Sequence, residues 1–187
     1  MNHPLSRPAP QCAVDVPGAR YFRWAMSYGW LEQRDGRWQL RFTRRLAHPP
    51  ERVWRALVDP DEVAAWFPTT IEGDCAPGAP LRFRFRKGEA PPVEGEMIAC
   101  DPPRMMEFRW GDGDTMRFEL EPDGDGTVLA LIDTFDDHGK AARDAAGWHI
   151  CLDALVARFG GEEVHEPAAD RWDQVHEHYV QRFGTDG

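Results

Sequence analysis

The chain is nearly without serine and nearly without lysine. Its only serines are Ser6, in a proline-rich start, and Ser27, in an apolar arm. A serine hydrolase needs its nucleophile held against a histidine and an acid, so that class is close to excluded. Lys87 and Lys140 are the only lysines, the other basic side chains are arginines, and the formal charge is −10. That balance argues against a nucleic-acid surface, which needs a basic footprint. No apolar run approaches the roughly 18 residues of a membrane-spanning helix. The glycines form no phosphate-cradling loop. Cysteine is scarce as well: Cys12, Cys75, Cys100 and Cys151 lie far apart with no C-x-x-C spacing. They read as reduced, small, buried apolar residues. The start of the chain lacks a basic-then-apolar signal layout, so the expected compartment is the cytoplasm.

What the chain does have is apolar and aromatic mass. Of 187 residues 42% are apolar, with 8 Trp and 10 Phe, enough for one sizeable core with appendages. Residues 1–19, rich in proline, read as a flexible tail, and 20–36 as an arm ending in a hairpin strand. Residues 37–161 form the main domain, and 162–187 a linker with one more helix. In the arm the even positions Phe22, Trp24, Met26, Tyr28 and Trp30 are all apolar, which is the period of extended chain. Asp35-Gly36 is a strong hairpin signal, pairing the segment that ends near Gln33 with a strand over Arg37 to Leu46. That strand puts Trp38, Leu40, Phe42 and Leu46 on one face. By the same parity Arg44 points inward, which is costly unless it is paired. The expectation is a bulge that turns Arg44 to solvent; the alternative is a polar anchor inside a pocket.

Pro49-Pro50 stops the strand, and Glu51 to Leu57 forms a short helix with Val53, Trp54 and Leu57 inside. Asp59-Pro60-Asp61-Glu62 opens a second helix, with Asp59 as N-cap and Glu62 reaching back as in a capping box. It carries Val63, Trp66 and Phe67 and ends at Pro68. Strands follow. Leu81, Phe83 and Phe85 face in, then Val93, Met97 and Ala99, then Met106, Phe108 and Trp110. If Gly111-Asp112-Gly113 is a three-residue loop, Trp110 pairs with Asp114, Glu107 with Arg117 and Phe108 with Met116. The outer face becomes a lattice of arginines and acids. The strand over Thr127–Phe135 is apolar on both parities, which leaves the direction of Asp133 open. Asp136-Asp137 can cap the helical region that follows.

Arg143 to Gly161 is one long amphipathic helix, with Ala145, Trp148, Leu152, Leu155, Val156 and Phe159 as its apolar stripe. Its place after a run of strands makes it the cover of a sheet. His149 and Cys151 stand about 200° apart on it, so they cannot share a metal or act as thiolate and base. Cys151 reads as filler, and His149 as a surface partner of Asp153. His165, His176 and His178 with Glu166 and Glu177 fit no metal-binding spacing, so no metal is expected. No cofactor is called for either. In the final helix Trp172, Val175, Tyr179 and Phe183 share a side that packs on the body or on a second subunit.

Four segments carry a family resemblance: FTRRLAHPPERVWRALVDPDEVAAWFP (Phe42 to Pro68), GEMIACDPPRMMEFRW (Gly95 to Trp110), GTVLALIDTF (Gly126 to Phe135) and AAGWHICLDAL (Ala145 to Leu155). In this order they resemble the START-like superfamily, also called SRPBCC or Bet v 1-like. The branch they look closest to is named after the activator of the ninety-kilodalton heat-shock protein's ATPase. The resemblance implies an α+β helix-grip fold: a curved antiparallel sheet of about six or seven strands around the long C-terminal helix, with two short helices after the first main strand. It implies a cavity between sheet and helix. The expected lining is Trp66, Phe67, Phe83, Phe85, Met97, Phe108, Trp110, Met116, Phe118, Trp148 and Leu152, with Arg44 as a polar candidate. The alternative is that these side chains meet one another in a dry core. Three functions follow from this. The first is non-enzymatic binding of a small apolar molecule. The second is a protein-interaction module, either co-chaperone-like or a homodimer, using Phe22–Trp30 and Trp172–Phe183. The third is a cyclase or hydrolase, which needs Arg44 and Asp133 to face inward near each other. Neither nucleic acid nor membrane is an expected partner.

Overall fold

The computed structural model describes residues 28–86, 90–161 and 170–184. The described strands form one open antiparallel sheet of eight strands in the order β1-β2-β8-β7-β6-β5-β4-β3. They are β1 (Trp30–Arg34), β2 (Arg37–Leu46), β3 (Thr69–Glu72), β4 (Pro80–Phe85), β5 (Val93–Asp101), β6 (Met105–Trp110), β7 (Asp114–Asp123) and β8 (Gly126–Phe135). Two short helices, α1 (Pro50–Val58) and α2 (Pro60–Val63), connect β2 to β3, and the long α3 (Ala141–Phe159) follows β8. This is the helix-grip arrangement. A final helix, α4 (Arg171–Phe183), packs on α3. No described helix is long and apolar enough to cross a membrane.

The short-range expectations hold. Asp35, in the left-handed region at φ 52°, and Gly36 turn β1 into β2, with Gln33 opposite Trp38. Trp110 pairs with Asp114, Glu107 with Arg117 and Phe108 with Met116. On the outer face Arg117 Nη1 meets Glu107 at 2.9 Å, one rung of the arginine–acid lattice. Asp59 caps α2 by accepting from the N–H groups of Asp61 and Glu62. Asp137 accepts from the Gly139 N–H at 2.9 Å in the short 3-10 turn that leads into α3.

Several expectations are corrected. Glu62 does not close a capping box; its carboxylate turns to Arg52 at 2.6 Å and Arg55 at 3.3 Å, because two cations outbid one backbone N–H. The sheet has eight strands where six or seven were expected, partly because Thr69–Glu72 pairs with β4 directly after Pro68. Ala99 is not on the inner parity. A bulge between Met97 and Ala99 sets Ala99 opposite Glu107 and turns Cys100 to the inner side, opposite Met106. Cys75 and Cys100 are not independent buried thiols but a disulfide, with Cα atoms 5.7 Å apart. Residues 1–27, with Cys12 and with Phe22, Trp24 and Met26 of the arm, and the linker 162–169 lie outside the described residues.

The core lies between the sheet's inner face and α3. Leu40, Phe42, Phe83, Phe108, Phe118, Leu129, Leu131 and Phe135 are fully buried against Ala145, Leu152 and Leu155 of α3. Aliphatic and aromatic side chains at alternate strand positions remove enough apolar area to hold the helix there.

Candidate functional site

The core opens at one end of α3. Near the start of α3, between that helix and the sheet, lies a cavity of about 450 Å³. Its apolar wall comes from Phe67, Phe85, Trp110, Met116, Trp148 and, from α4, Trp172. Phe67 and Trp148 stack at 5.5 Å between ring centroids, and Trp110 meets Phe67 edge-on at 6.0 Å. Pro68, Gly147 and Cys151 complete the surface. At Gly147 an added Cβ would meet nothing within 4 Å, so the helix backbone itself is open to the cavity.

The polar side of the cavity is Asp114, Asp133, Lys140, Arg143 and Asp144. Lys140 Nζ is bound to Asp114 and lies 3.2 Å from Asp144. Burial would lower the Lys140 pKa, yet its hydrogen bond to Asp114 and the charge of Asp144 hold it above the ordinary value. Asp133 sits behind this group on β8, opposite Leu40 of β2 and Met116 of β7. It is fully buried. Trp148 donates its indole N–H to Asp133 Oδ2 at 3.1 Å, while Oδ1 has no hydrogen-bond partner among the described residues. Burial, with Asp144 and Asp114 close by, pushes this carboxyl up to about 8; Lys140 and the Trp148 N–H act the other way. Burial thus favours the protonated form of Asp133 near neutral pH. Burial pushes the Cys151 thiol up to about 12, which disfavours its thiolate.

Of the expected lining, Phe67, Phe85, Trp110, Met116 and Trp148 border this cavity. Trp66, Phe83, Met97, Phe108, Phe118 and Leu152 are packed into the core away from it. Trp66, for example, donates its indole N–H to the Ala56 carbonyl at 2.8 Å. The cavity opens next to the α2–β3 turn and the start of α3, so lining is decided by position along the strands as well as by parity.

Arg44 corrects the bulge expectation. It stays on the inner parity, 1% exposed, with Nη2 3.3 Å from Asp153 Oδ1. Burial lowers its pKa and Asp153 opposes that. It does not line the cavity. Asp153 also takes Arg171 at 3.2 Å and faces His149 Nε2 at 3.2 Å. His149 is thus not a surface residue: it is fully buried, with Nδ1 3.0 Å from the Tyr179 hydroxyl. Tyr179 accepts a hydrogen bond from the Gly29 N–H at 2.8 Å. These groups tie β2, α3, α4 and the end of the arm together beside the core. Arg44 and Asp133 both face inward, as the enzyme reading requires, with Arg44 engaging Asp153 and Asp133 engaging Trp148. Among the described residues no cluster of His, Cys, Asp and Glu could hold a metal ion.

Sequence reasoning missed the polar wall. The usable signal was the i, i+4 pair Lys140–Asp144 at the start of a helix with an otherwise apolar face. Trp172 was noted, but as a contact for a partner rather than as cavity wall.

Residues 47–160 match the family model described as activator of Hsp90 ATPase homolog 1-like protein. Among solved structures, CalU16 from Micromonospora echinospora is 22% identical with a TM-score of 0.70, over 86% of this chain and 99% of its own. A Bordetella parapertussis protein is 30% identical with a TM-score of 0.63, over 77% of this chain and 85% of its own. Aha1 from Colwellia psychrerythraea, solved as a dimer, is 17% identical with a TM-score of 0.56, over 65% of this chain and 95% of its own. No curated protein matches the sequence.

Proposed function

The chain belongs to the family of activator of Hsp90 ATPase homolog 1-like proteins, within the START-like superfamily, and from that premise we propose that it binds a small, largely apolar molecule in the cavity without transforming it. The observation that carries this reading is the cavity of about 450 Å³ with stacked aromatic walls. A space of that size suits a guest of a few fused rings, and its wall supplies dispersion and desolvation energy without any chemistry. Binding alone is favoured over turnover because the neutral Asp133, the thiol of Cys151 and the ion-paired Lys140 form no nucleophile–base pair. The co-chaperone-like and dimeric readings draw less support, since α4 spends Val175 and Tyr179 on its own α3.

Gly147 offers the test. Gly147→Phe places a ring in the cavity from a position where an added Cβ meets no atom within 4 Å. The expected result is at least about tenfold weaker Nile red binding with an unchanged circular dichroism spectrum. Organic extraction of the purified wild-type protein, followed by mass spectrometry, should in addition return a bound compound that Gly147→Phe lacks. Equal dye binding by both proteins would overturn the reading.

A further inference from the structure

The aromatic wall fits a flat, mostly apolar guest. It does not account for Asp133. A carboxyl group in a core strand is expensive unless its oxygens are engaged, and one substitution to leucine would remove the cost. Trp148 occupies only Oδ2. Oδ1 is buried, in a residue that borders the cavity, and has no partner among the described residues. The rest of the polar wall is already spoken for: Lys140 by Asp114 and Asp144, and Arg143 by Asp144 at 3.2 Å.

We infer that Asp133 is the polar anchor of the cavity, and that the guest is a flat, largely apolar molecule carrying a carbonyl or similar accepting oxygen that Asp133 Oδ1 meets. This rests on the binding reading above and sharpens it to a substrate class. The charge state decides between a guest that accepts and one that donates. The groups that act on Asp133 are Asp144 of α3, Lys140 before it, Asp114 of β7 and the Trp148 indole; Arg143 borders the same cavity, and Leu40 of β2 opposite adds no charge. The two carboxylates and burial keep the acid protonated, against Lys140 and the Trp148 N–H. With Oδ2 accepting from the indole, the proton belongs on Oδ1, which therefore donates. A hydrogen bond made there is shielded from water and so counts for more than the same bond at the surface.

The experiment compares two probes of one shape, fluorene and fluorenone, which differ by the carbonyl oxygen. Each is titrated by Nile red displacement between about pH 6 and pH 9.5, with the Trp148 indole N–H followed by NMR. At pH 6 fluorenone should bind about tenfold more tightly than fluorene. Because the acid loses its proton through about pH 8, that preference should fade above it. Asp133→Asn keeps a donor and cannot ionise, so its preference should persist at pH 9.5. Asp133→Leu should bind both probes alike, and if that variant does not fold, the wild-type pH profile and Asp133→Asn still decide. Equal affinity for the two probes at pH 6, or a fluorenone preference that ignores pH in the wild type, would overturn the inference and leave the cavity reading standing. Failure of both probes to displace the dye or to move the Trp148 signal would overturn both.

Discussion

A single carboxylic acid sets the character of this cavity. Asp133 folds into a place where its charged form is disfavoured, so folding carries a proton that the unfolded chain gives up. The unfolded value is near 3.8 and the folded one about 8. Between those limits the native state binds more protons than the unfolded state, so stability falls as pH rises. The slope from this one group approaches about 1.4 kcal/mol per pH unit at its steepest. Asp133→Asn should remove that slope and leave a variant more stable than wild type at about pH 7 and above. Urea midpoints measured on both proteins from about pH 5 to pH 8 check this; parallel profiles would refute it. The residue also marks a limit of sequence reading. Strand β8 lies between β2 and β7 in mid-sheet and buries Ile132 as well as Leu131. Where both faces of a strand are covered, alternation vanishes, and nothing local says which way an aspartate points.

Among the elements, α3 was the most legible and its site the least. The apolar stripe at Ala145, Trp148, Leu152 and Leu155 announced a helix that covers a sheet, and all four are buried. The strand pairings from β6 to β7 followed from one loop length, because a hairpin turn leaves a single register that keeps both faces consistent. The site was half legible, since a periodicity argument finds what is inside without saying where the inside is empty. Two local features broke it further: the bulge that moved Ala99 off the inner parity, and the ion pairs that fold polar side chains over an apolar opening. Gly147 belongs to the same category. In an otherwise regular helix, glycine costs about 1 kcal/mol relative to alanine. A Cβ there would touch nothing within 4 Å, so packing does not demand the glycine. Gly147→Ala should raise unfolding stability by about 0.5–1 kcal/mol while leaving most of the cavity volume free. Chemical denaturation measures the first part and Nile red titration the second. A destabilised variant would mean that the backbone at this turn of α3 is held by something other than helix geometry.

For the molecule as a whole, the question is how a sheet, a long helix and two outlying segments hold one cavity in shape. The outlying segments are fastened by Tyr179. Its hydroxyl accepts from the Gly29 N–H at 2.8 Å and lies 3.0 Å from His149 Nδ1, and it joins residues 150 positions apart in sequence. Gly29 suits that junction because an added Cβ would lie 2.6 Å from the Phe42 ring. Around it, Tyr28 stacks on His178 at 3.7 Å, and Asp153 holds Arg44 and Arg171. The same helix α4 that Tyr179 fixes also carries Trp172 into the cavity wall. Anchoring and wall are thus mechanically one element, and damage to the first should be felt in the second. Tyr179→Phe keeps the ring and removes the oxygen, leaving the buried Gly29 N–H and the His149 ring nitrogen without their partner. That loss costs about 1–3 kcal/mol. Urea unfolding should report it, and hydrogen exchange at the Gly29 amide should accelerate more than exchange in β6 to β8, where the sheet is intact. Nile red affinity should fall in parallel as Trp172 loses its fixed position. An unchanged affinity beside a lowered stability would separate the two, and would make α4 a fastener of the termini rather than a wall of the cavity.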